Sequence, residues 1–256
     1  MHKLFDLHGR VALVTGANTG LGQALAIALA TAGADIAVAG RTDPVETARQ
    51  VHALGRRFHA ISANLAHGAP AMDVVQQAVA ALGPLDILVN NAGTIHRADA
   101  LDVTEDAWDA VMDTNLRSAF FLSQAAARHM LGGAGGSGRG GKIINIASLL
   151  SFQGGIRVPA YTASKSGLAG LTRALATEWA AHGINVNAIA PGYFATNNTA
   201  ALRSDAVREP QILARIPAGR WGQPDDLAGA AVFLASRASD YVHGVVLPVD
   251  GGWLAR

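Results

Sequence analysis

Seven short runs rich in β-branched and aliphatic residues recur along the chain, at 11–14, 36–39, 58–62, 87–89, 142–147, 185–189 and about 245–249. Longer stretches with helical spacing separate them, at 23–32, 44–54, 71–81 and 105–130, from Tyr161 to about His182, and at 225–235 with Pro224 near the first turn. A strand that must cross a helix before the next strand begins cannot form a hairpin with it, so the strands have to run parallel. Most runs are continuously apolar, which suits strands covered on both faces. The pattern predicts an α/β fold, a single doubly wound parallel sheet with helices on both sides. With 256 residues, half of them apolar, one domain over 1–256 is expected. The glycine-rich stretch 132–141 is read as a flexible connection between the long helix and the fifth strand.

The turn after the first run reads Thr15-Gly16-Ala17-Asn18-Thr19-Gly20-Leu21-Gly22 and opens a helix. Gly16 permits a tight turn, Gly20 lets backbone approach a pyrophosphate and Gly22 allows close helix packing, while the helix N-terminus offers unpaired N–H groups to the anion. At the end of the second run an acid would select NAD by binding ribose hydroxyls. Gly40 and Arg41 stand there instead, and Arg41 can pair with a 2′-phosphate, which leans toward NADP without excluding NAD.

Tyr161 and Lys165 stand one helical turn apart on one face of the sixth helical stretch. A phenol has an ordinary pKa of about 10, and a nearby cation favours its ionised form. Lys165 is therefore expected to lower the pKa of Tyr161 and make it a usable acid or base.

With Asn90-Asn91-Ala92-Gly93 after the fourth strand, Asn115 in the long helix, Ser148 after the fifth strand and Tyr161-x-x-x-Lys165, the chain resembles the short-chain dehydrogenase/reductase family over essentially its whole length. The resemblance implies a Rossmann-type sheet, usually of seven strands, an NAD(P) cofactor and a frequent homotetramer. It assigns Tyr161 to proton exchange, Ser148 to the substrate oxygen, Lys165 to the nicotinamide ribose and Asn115 to a water that links Lys165 to solvent. It places the cofactor on Gly16, Asn18, Thr19, Gly20, Leu21 and Gly22, on Arg41, on Asn64 and Leu65, on Asn91, Ala92 and Gly93, on Tyr161 and Lys165, and on Pro191, Gly192 and Thr196. Asn64 departs from the Asp that the family commonly carries beside the adenine, and its amide can still accept a hydrogen bond there.

Within the family, the stretches 151–159, 192–199, 215–222 and 249–256 resemble the branch acting on deoxy keto-sugar acids. Such a substrate needs amide donors and acceptors plus a cation. Gln153, Tyr193 and Asn198, with neighbouring Asn197 and Thr199, are the candidates for its hydroxyls. Arg157 is the first candidate for its carboxylate, with Arg97, Arg203 and Arg215 behind it. A 3-oxoacyl thioester or a different sugar is the alternative substrate, and a noncatalytic nucleotide-binding protein is the alternative class.

Composition narrows the rest. The formal net charge of +1, with scattered basic residues, gives no reason to expect nucleic acid or an anionic membrane as partner. The nine histidines form no pair at helical ligand spacing, and no catalytic metal is expected. Cysteine is absent, an acid precedes any apolar run at the start, and no run reaches the ~18 residues of a membrane span, so a cytoplasmic location is expected.

Overall fold

The computed structural model describes residues 2–66, 71–132 and 138–256. Among the described residues, seven strands form one sheet: β1 Val11–Thr15, β2 Asp35–Gly40, β3 Phe58–Ser62, β4 Ile87–Asn90, β5 Gly141–Ile146, β6 Ile184–Pro191 and β7 Val246–Val249. Their spatial order is β3-β2-β1-β4-β5-β6-β7 and every pairing is parallel, as the alternating pattern predicts. Alternate side chains of one strand feed opposite cores, since a strand has a period of two. Ala12, Val14, Ile36, Val38, Ile87 and Val89 join the core beneath α1 (Gly20–Thr31) and α9 (Ala228–Ala235). Val11, Leu13, Ala37, Ala39 and Leu88 join the other, beneath α3 (Ala71–Leu82), α5 (Ser118–Met130) and α6 (Pro159–Trp179). Helix α2 (Val45–Ala53) closes the edge beside β2 and β3.

The stretch 105–130 is helical throughout, as expected, but not α-helical throughout. Helix α4 spans Glu105–Met112, a π-helical turn spans Asp113–Arg117, and α5 follows. The Ser118 N–H bonds the Asp113 carbonyl five residues back, so an extra residue is wound into the ladder at Asn115. The helix expected over 225–235 likewise opens as a 3-10 turn, Pro224–Leu227, before α9. Two short helices, α7 (Ala200–Arg203) and α8 (Arg208–Leu213), lie in a segment that carries no periodic signal. They build a small separate core of Leu149, Ile212, Ile216, Trp221 and Trp253. Residues 133–137 of the glycine-rich connection lie outside the described residues.

Buried amides tie the helices to the sheet behind the carboxyl ends of the strands. Asn90 Nδ2 donates to Ser123 Oγ and to Asn145 Oδ1, both at 2.9 Å, and Asn145 Nδ2 donates to Thr172 Oγ1 at 2.9 Å. The bonds from the two Nδ2 groups fix α5 and α6 against β4 and β5, while Asn90 Oδ1 is buried with no partner among the described residues.

His129 on α5 is buried, and its Nε2 accepts the N–H of Leu85 at 3.1 Å, which requires the neutral ring. Burial holds its pKa below the ordinary 6.5, with the Asp86 charge opposing. Below that value the unfolded chain takes up a proton that the folded chain resists, so stability present above it is lost as pH falls through the lowered value. Thermal melts should therefore show a steeper loss of Tm below pH 6.5 in the wild type than in His129→Gln, whose amide oxygen can accept the same N–H without titrating. Equal slopes would remove His129 from this role.

Candidate active site

The strand order reverses direction between β1 and β4, and a crevice opens there at the carboxyl ends of the strands. The first loop at this crevice is the glycine turn. Asn91, after β4, donates through Nδ2 to the carbonyls of Thr15 (2.9 Å) and Gly16 (3.0 Å), and Thr15 Oγ1 accepts the N–H groups of Asn91 (3.0 Å) and Ala92 (2.9 Å). The two loops are thus laced together. A Cβ on Gly22 would lie 2.3 Å from the Gly16 carbonyl and 2.4 Å from Asn91 Nδ2, so only glycine fits. Gly16 and Gly20 sit at φ 64° and 60°, in the left-handed region that glycine adopts without strain. Thr19 at the N-cap of α1 makes no side-chain cap, so the first N–H groups of the helix are left for an anion. Thr196 lies 3.9 Å from the Cβ position of Gly20, bringing the segment after β6 over the same turn. Gly93 faces Asn115 and Lys165, and the expected cofactor residues after β1, β4 and β6 therefore share one crevice. Arg41 is exposed at the end of β2 with no ion pair among the described residues. Asn64 is exposed after β3 and its Oδ1 accepts the Ala66 N–H at 3.1 Å, while Leu65 is buried. These residues fit a dinucleotide, with a cradle that only glycines leave open and a free helix N-terminus.

The catalytic candidates meet at the next crevice wall. Ser148, after β5, caps the 3-10 turn Leu149–Ser151 by accepting the Leu150 N–H at 3.2 Å, and stands close enough to Tyr161 on α6 to lower its pKa. Lys165 is 4% exposed; its Nζ donates to the Ile146 carbonyl at 2.6 Å and lies 5.6 Å from the Tyr161 ring centroid. Asn115, in the π turn, is 1% exposed. Its Oδ1 accepts the Thr94 N–H (2.8 Å), and its Nδ2 donates to the Thr94 carbonyl (2.9 Å) and to Ser164 Oγ (3.1 Å). Ser164 Oγ in turn donates to the Tyr161 carbonyl at 2.8 Å. The serine between Tyr161 and Lys165 is thus the link from the π turn to the helix; its signal in the sequence is its place inside that motif.

The expectation that Lys165 lowers the pKa of Tyr161 is corrected. Burial pushes the phenol above its ordinary value, while the Ser148 hydrogen bond and the charge of Arg97 pull it down. Burial also brings Lys165 down to about 8. With its ammonium turned to a backbone carbonyl, Lys165 does not offset the desolvation of the ring. A phenol held protonated is a proton donor, and the Ser148 hydroxyl beside it can supply a second.

The four candidate arginines differ in what holds them. Arg157, at φ 65°, is exposed and pairs with Asp99 at 3.1 Å, so the first candidate for a carboxylate already has one. Arg203 Nη2 donates to the Thr196 carbonyl at 3.2 Å, and Arg215 lies over the Trp253 ring at 4.2 Å. Arg97 is the cation whose charge reaches Tyr161; its Nη2 also donates to the Asn198 carbonyl at 3.5 Å. Asn198 itself is exposed in the 3-10 turn Asn197–Thr199. Tyr193 packs between Trp221 and Trp253, at ring distances of 5.6 and 4.7 Å. Gln153 Oε1 accepts the Trp253 indole N–H at 3.2 Å, a partner from the end of the chain that no local pattern points to.

Residues 10–207 match the family described as short chain dehydrogenase. The chain is 61% identical over 254 residues to the 2-dehydro-3-deoxy-D-gluconate 5-dehydrogenase of Escherichia coli (strain K12), covering 98% of each chain. It is 59% identical over 252 residues to the enzyme of the same name from Dickeya dadantii (strain 3937), again covering 98% of each. A crystal structure of a gluconate 5-dehydrogenase from Burkholderia cenocepacia J2315, in complex with NADP and tartrate, superimposes with a TM-score of 0.92 at 41% identity, covering 100% of this chain and 99% of that one.

Proposed function

The chain belongs to the short-chain dehydrogenase family, and we propose that it moves a hydride between a nicotinamide cofactor and the hydroxyl or keto group of a deoxy keto-sugar acid, interconverting 2-dehydro-3-deoxy-D-gluconate and its 2,5-diketo counterpart. The observation that carries the reading is the set Asn115, Ser164, Tyr161 and Lys165 joined at one crevice beside Ser148, with the charge of Arg97 reaching Tyr161. A neutral ketone needs the two donors, and only an acidic substrate also needs the cation.

A dinucleotide would be held by the Gly16 to Gly22 turn, the N–H groups of α1, Asn91 to Gly93, the Pro191 to Thr196 segment and Lys165; when bound it would supply or accept the hydride. As reduction proceeds, negative charge grows on the substrate oxygen. Ser148 donates to that oxygen, and Tyr161 donates and then transfers its proton, leaving a phenolate. Ser148 and the charge of Arg97 favour that phenolate, and Asn115, locked to Thr94 and Ser164, holds the Tyr161 helix in register. Oxidation of the alcohol runs the same transfers in reverse, with the phenolate taking the hydroxyl proton. Arg41 is the residue that would receive a 2′-phosphate, and the NADP in the Burkholderia cenocepacia structure supports that preference.

Initial rates with 2-dehydro-3-deoxy-D-gluconate, followed by nicotinamide absorbance with NAD and NADP in parallel, test the reading. Absence of turnover with both cofactors, when both bind, would remove the substrate assignment. Arg97→Ala should raise KM for the acid by about 10- to 100-fold, the value of a lost charge-assisted hydrogen bond, and leave KM for the cofactor nearly unchanged. Arg157→Ala should change neither, because Arg157 is committed to Asp99. The reverse ranking would restore Arg157 to the role. A homotetramer belongs to the same proposal, with the exposed Met72 of α3 and Phe121 of α5 as apolar surface for another copy. A monomeric mass by light scattering would refute it.

A further inference from the structure

The C-terminal turn Trp253–Ala255 is fastened to the crevice wall by several independent contacts. The Asp250 carboxylate accepts the N–H groups of Gly252 and Leu254, both at 2.9 Å. The indole of Trp253 is 4% exposed, with the Tyr193 ring 4.7 Å away and the Arg215 guanidinium 4.2 Å above it. What this fastened indole does is donate from Nε1 to Gln153 Oε1 at 3.2 Å.

An indole N–H can only donate, so of the two ends of an amide it selects the oxygen. The orientation of the Gln153 amide is therefore set by chemistry. Its Nε2, with two N–H donors, is directed away from the indole and has no partner among the described residues. Gln153 sits five residues beyond Ser148, at the end of the 3-10 turn that Ser148 caps, and its own N–H bonds the Leu149 carbonyl at 3.2 Å. The donor pair is thus carried on the same short turn as the serine that binds the reacting oxygen.

We propose that Trp253 is a positioning residue for substrate, which holds the Gln153 amide so that its N–H groups serve an acceptor oxygen, carboxylate or hydroxyl, of the acidic sugar. The inference rests on the substrate reading above and adds a residue to it. A free glutamine would present oxygen or nitrogen with similar ease; the indole removes that choice. The site then favours substrates that place an acceptor at this position over those that place a methylene there.

The test is a double-mutant cycle on the full-length enzyme, with Trp253→Phe, Gln153→Ala and the pair combined. Phenylalanine keeps an aromatic ring for Tyr193 and Arg215 and removes the N–H. KM for the sugar acid should rise about tenfold in Trp253→Phe, the worth of one misdirected hydrogen bond, with kcat and cofactor KM within about twofold of wild type. Because Trp253 acts through Gln153, the double variant should be no worse than Gln153→Ala. An unchanged KM, or effects that multiply in the double variant, would overturn the inference. If Trp253→Phe does not fold, Gln153→Glu serves instead: its carboxylate still accepts from the indole but offers no donor, so an unchanged KM in that folded variant overturns the inference equally. A wild type inert on this sugar acid but active on another ketone would defeat the substrate reading alone. The cycle is then run on that ketone, where the same outcomes apply.

Discussion

Tyr161→Phe should lower kcat by about 10²- to 10⁴-fold, the usual worth of a positioned general acid. The phenol is the group the structure holds protonated at the crevice, its pKa raised by burial and moderated by Ser148 and Arg97. Phenylalanine keeps the ring and its place on α6, so the fold and the hydrogen bond from Ser164 Oγ to the residue-161 carbonyl survive. Cofactor affinity, read by titration of protein fluorescence, should therefore stay within a few-fold of wild type. A variant with substantial remaining turnover would move the proton donor elsewhere, and Ser148 would be the first group to examine.

Gly22→Ala should abolish detectable dinucleotide binding and lower stability by about 1 to 3 kcal/mol, the range for forcing an extra carbon into a packed place. The added methyl would meet the Gly16 carbonyl at 2.3 Å, and that carbonyl cannot retreat because Asn91 Nδ2 holds it from the other loop. Either Asn91 lets go and the crevice opens, or α1 lifts from the turn and takes its N-terminal N–H groups with it. Gly170→Ala is the control. Nothing lies within 4 Å of the Cβ position at Gly170 on α6, and alanine there should be neutral or stabilising by up to about 1 kcal/mol. Calorimetry of both variants, and a binding titration with NAD and NADP, separates the two outcomes. Wild-type binding in Gly22→Ala would mean the turn is more pliable than its hydrogen bonds imply.

The sheet could be read from the sequence because its signal is local: a continuous apolar run between helical patterns leaves a strand few other places to go. The strand ends moved by only a residue or two, as at β4, which closes on Asn90. The glycine turn was legible for the same reason, each glycine being needed by its own neighbours. The π turn at Asn115 was not, since one residue inserted into a helix leaves the 3.6-residue pattern nearly intact on either side. The pKa of Tyr161 could not be read from the i, i+4 spacing to Lys165, because spacing carries proximity and not burial, and burial is the larger cause. Arg97 and Arg157 look alike in the sequence; what separates them is Asp99, beside which Arg157 folds back. The bond between Trp253 and Gln153 spans a hundred positions and no pattern of residues announces it.

The order of the strands has a consequence for how this protein comes into being. The crevice draws on the ends of β1, β4, β5 and β6, and β1 reaches β4 only after the chain has travelled out through β2 and β3 and back. A nascent chain emerging from the ribosome can build the nucleotide turn early, but Ser148, Tyr161 and the Pro191 to Thr196 wall arrive only when most of the chain has been made. Pairings over such separations are also slow to form. A form that has not yet docked β5 and α6 lacks Ser148 and Tyr161 in place, and with them the groups that would give a ketone its proton.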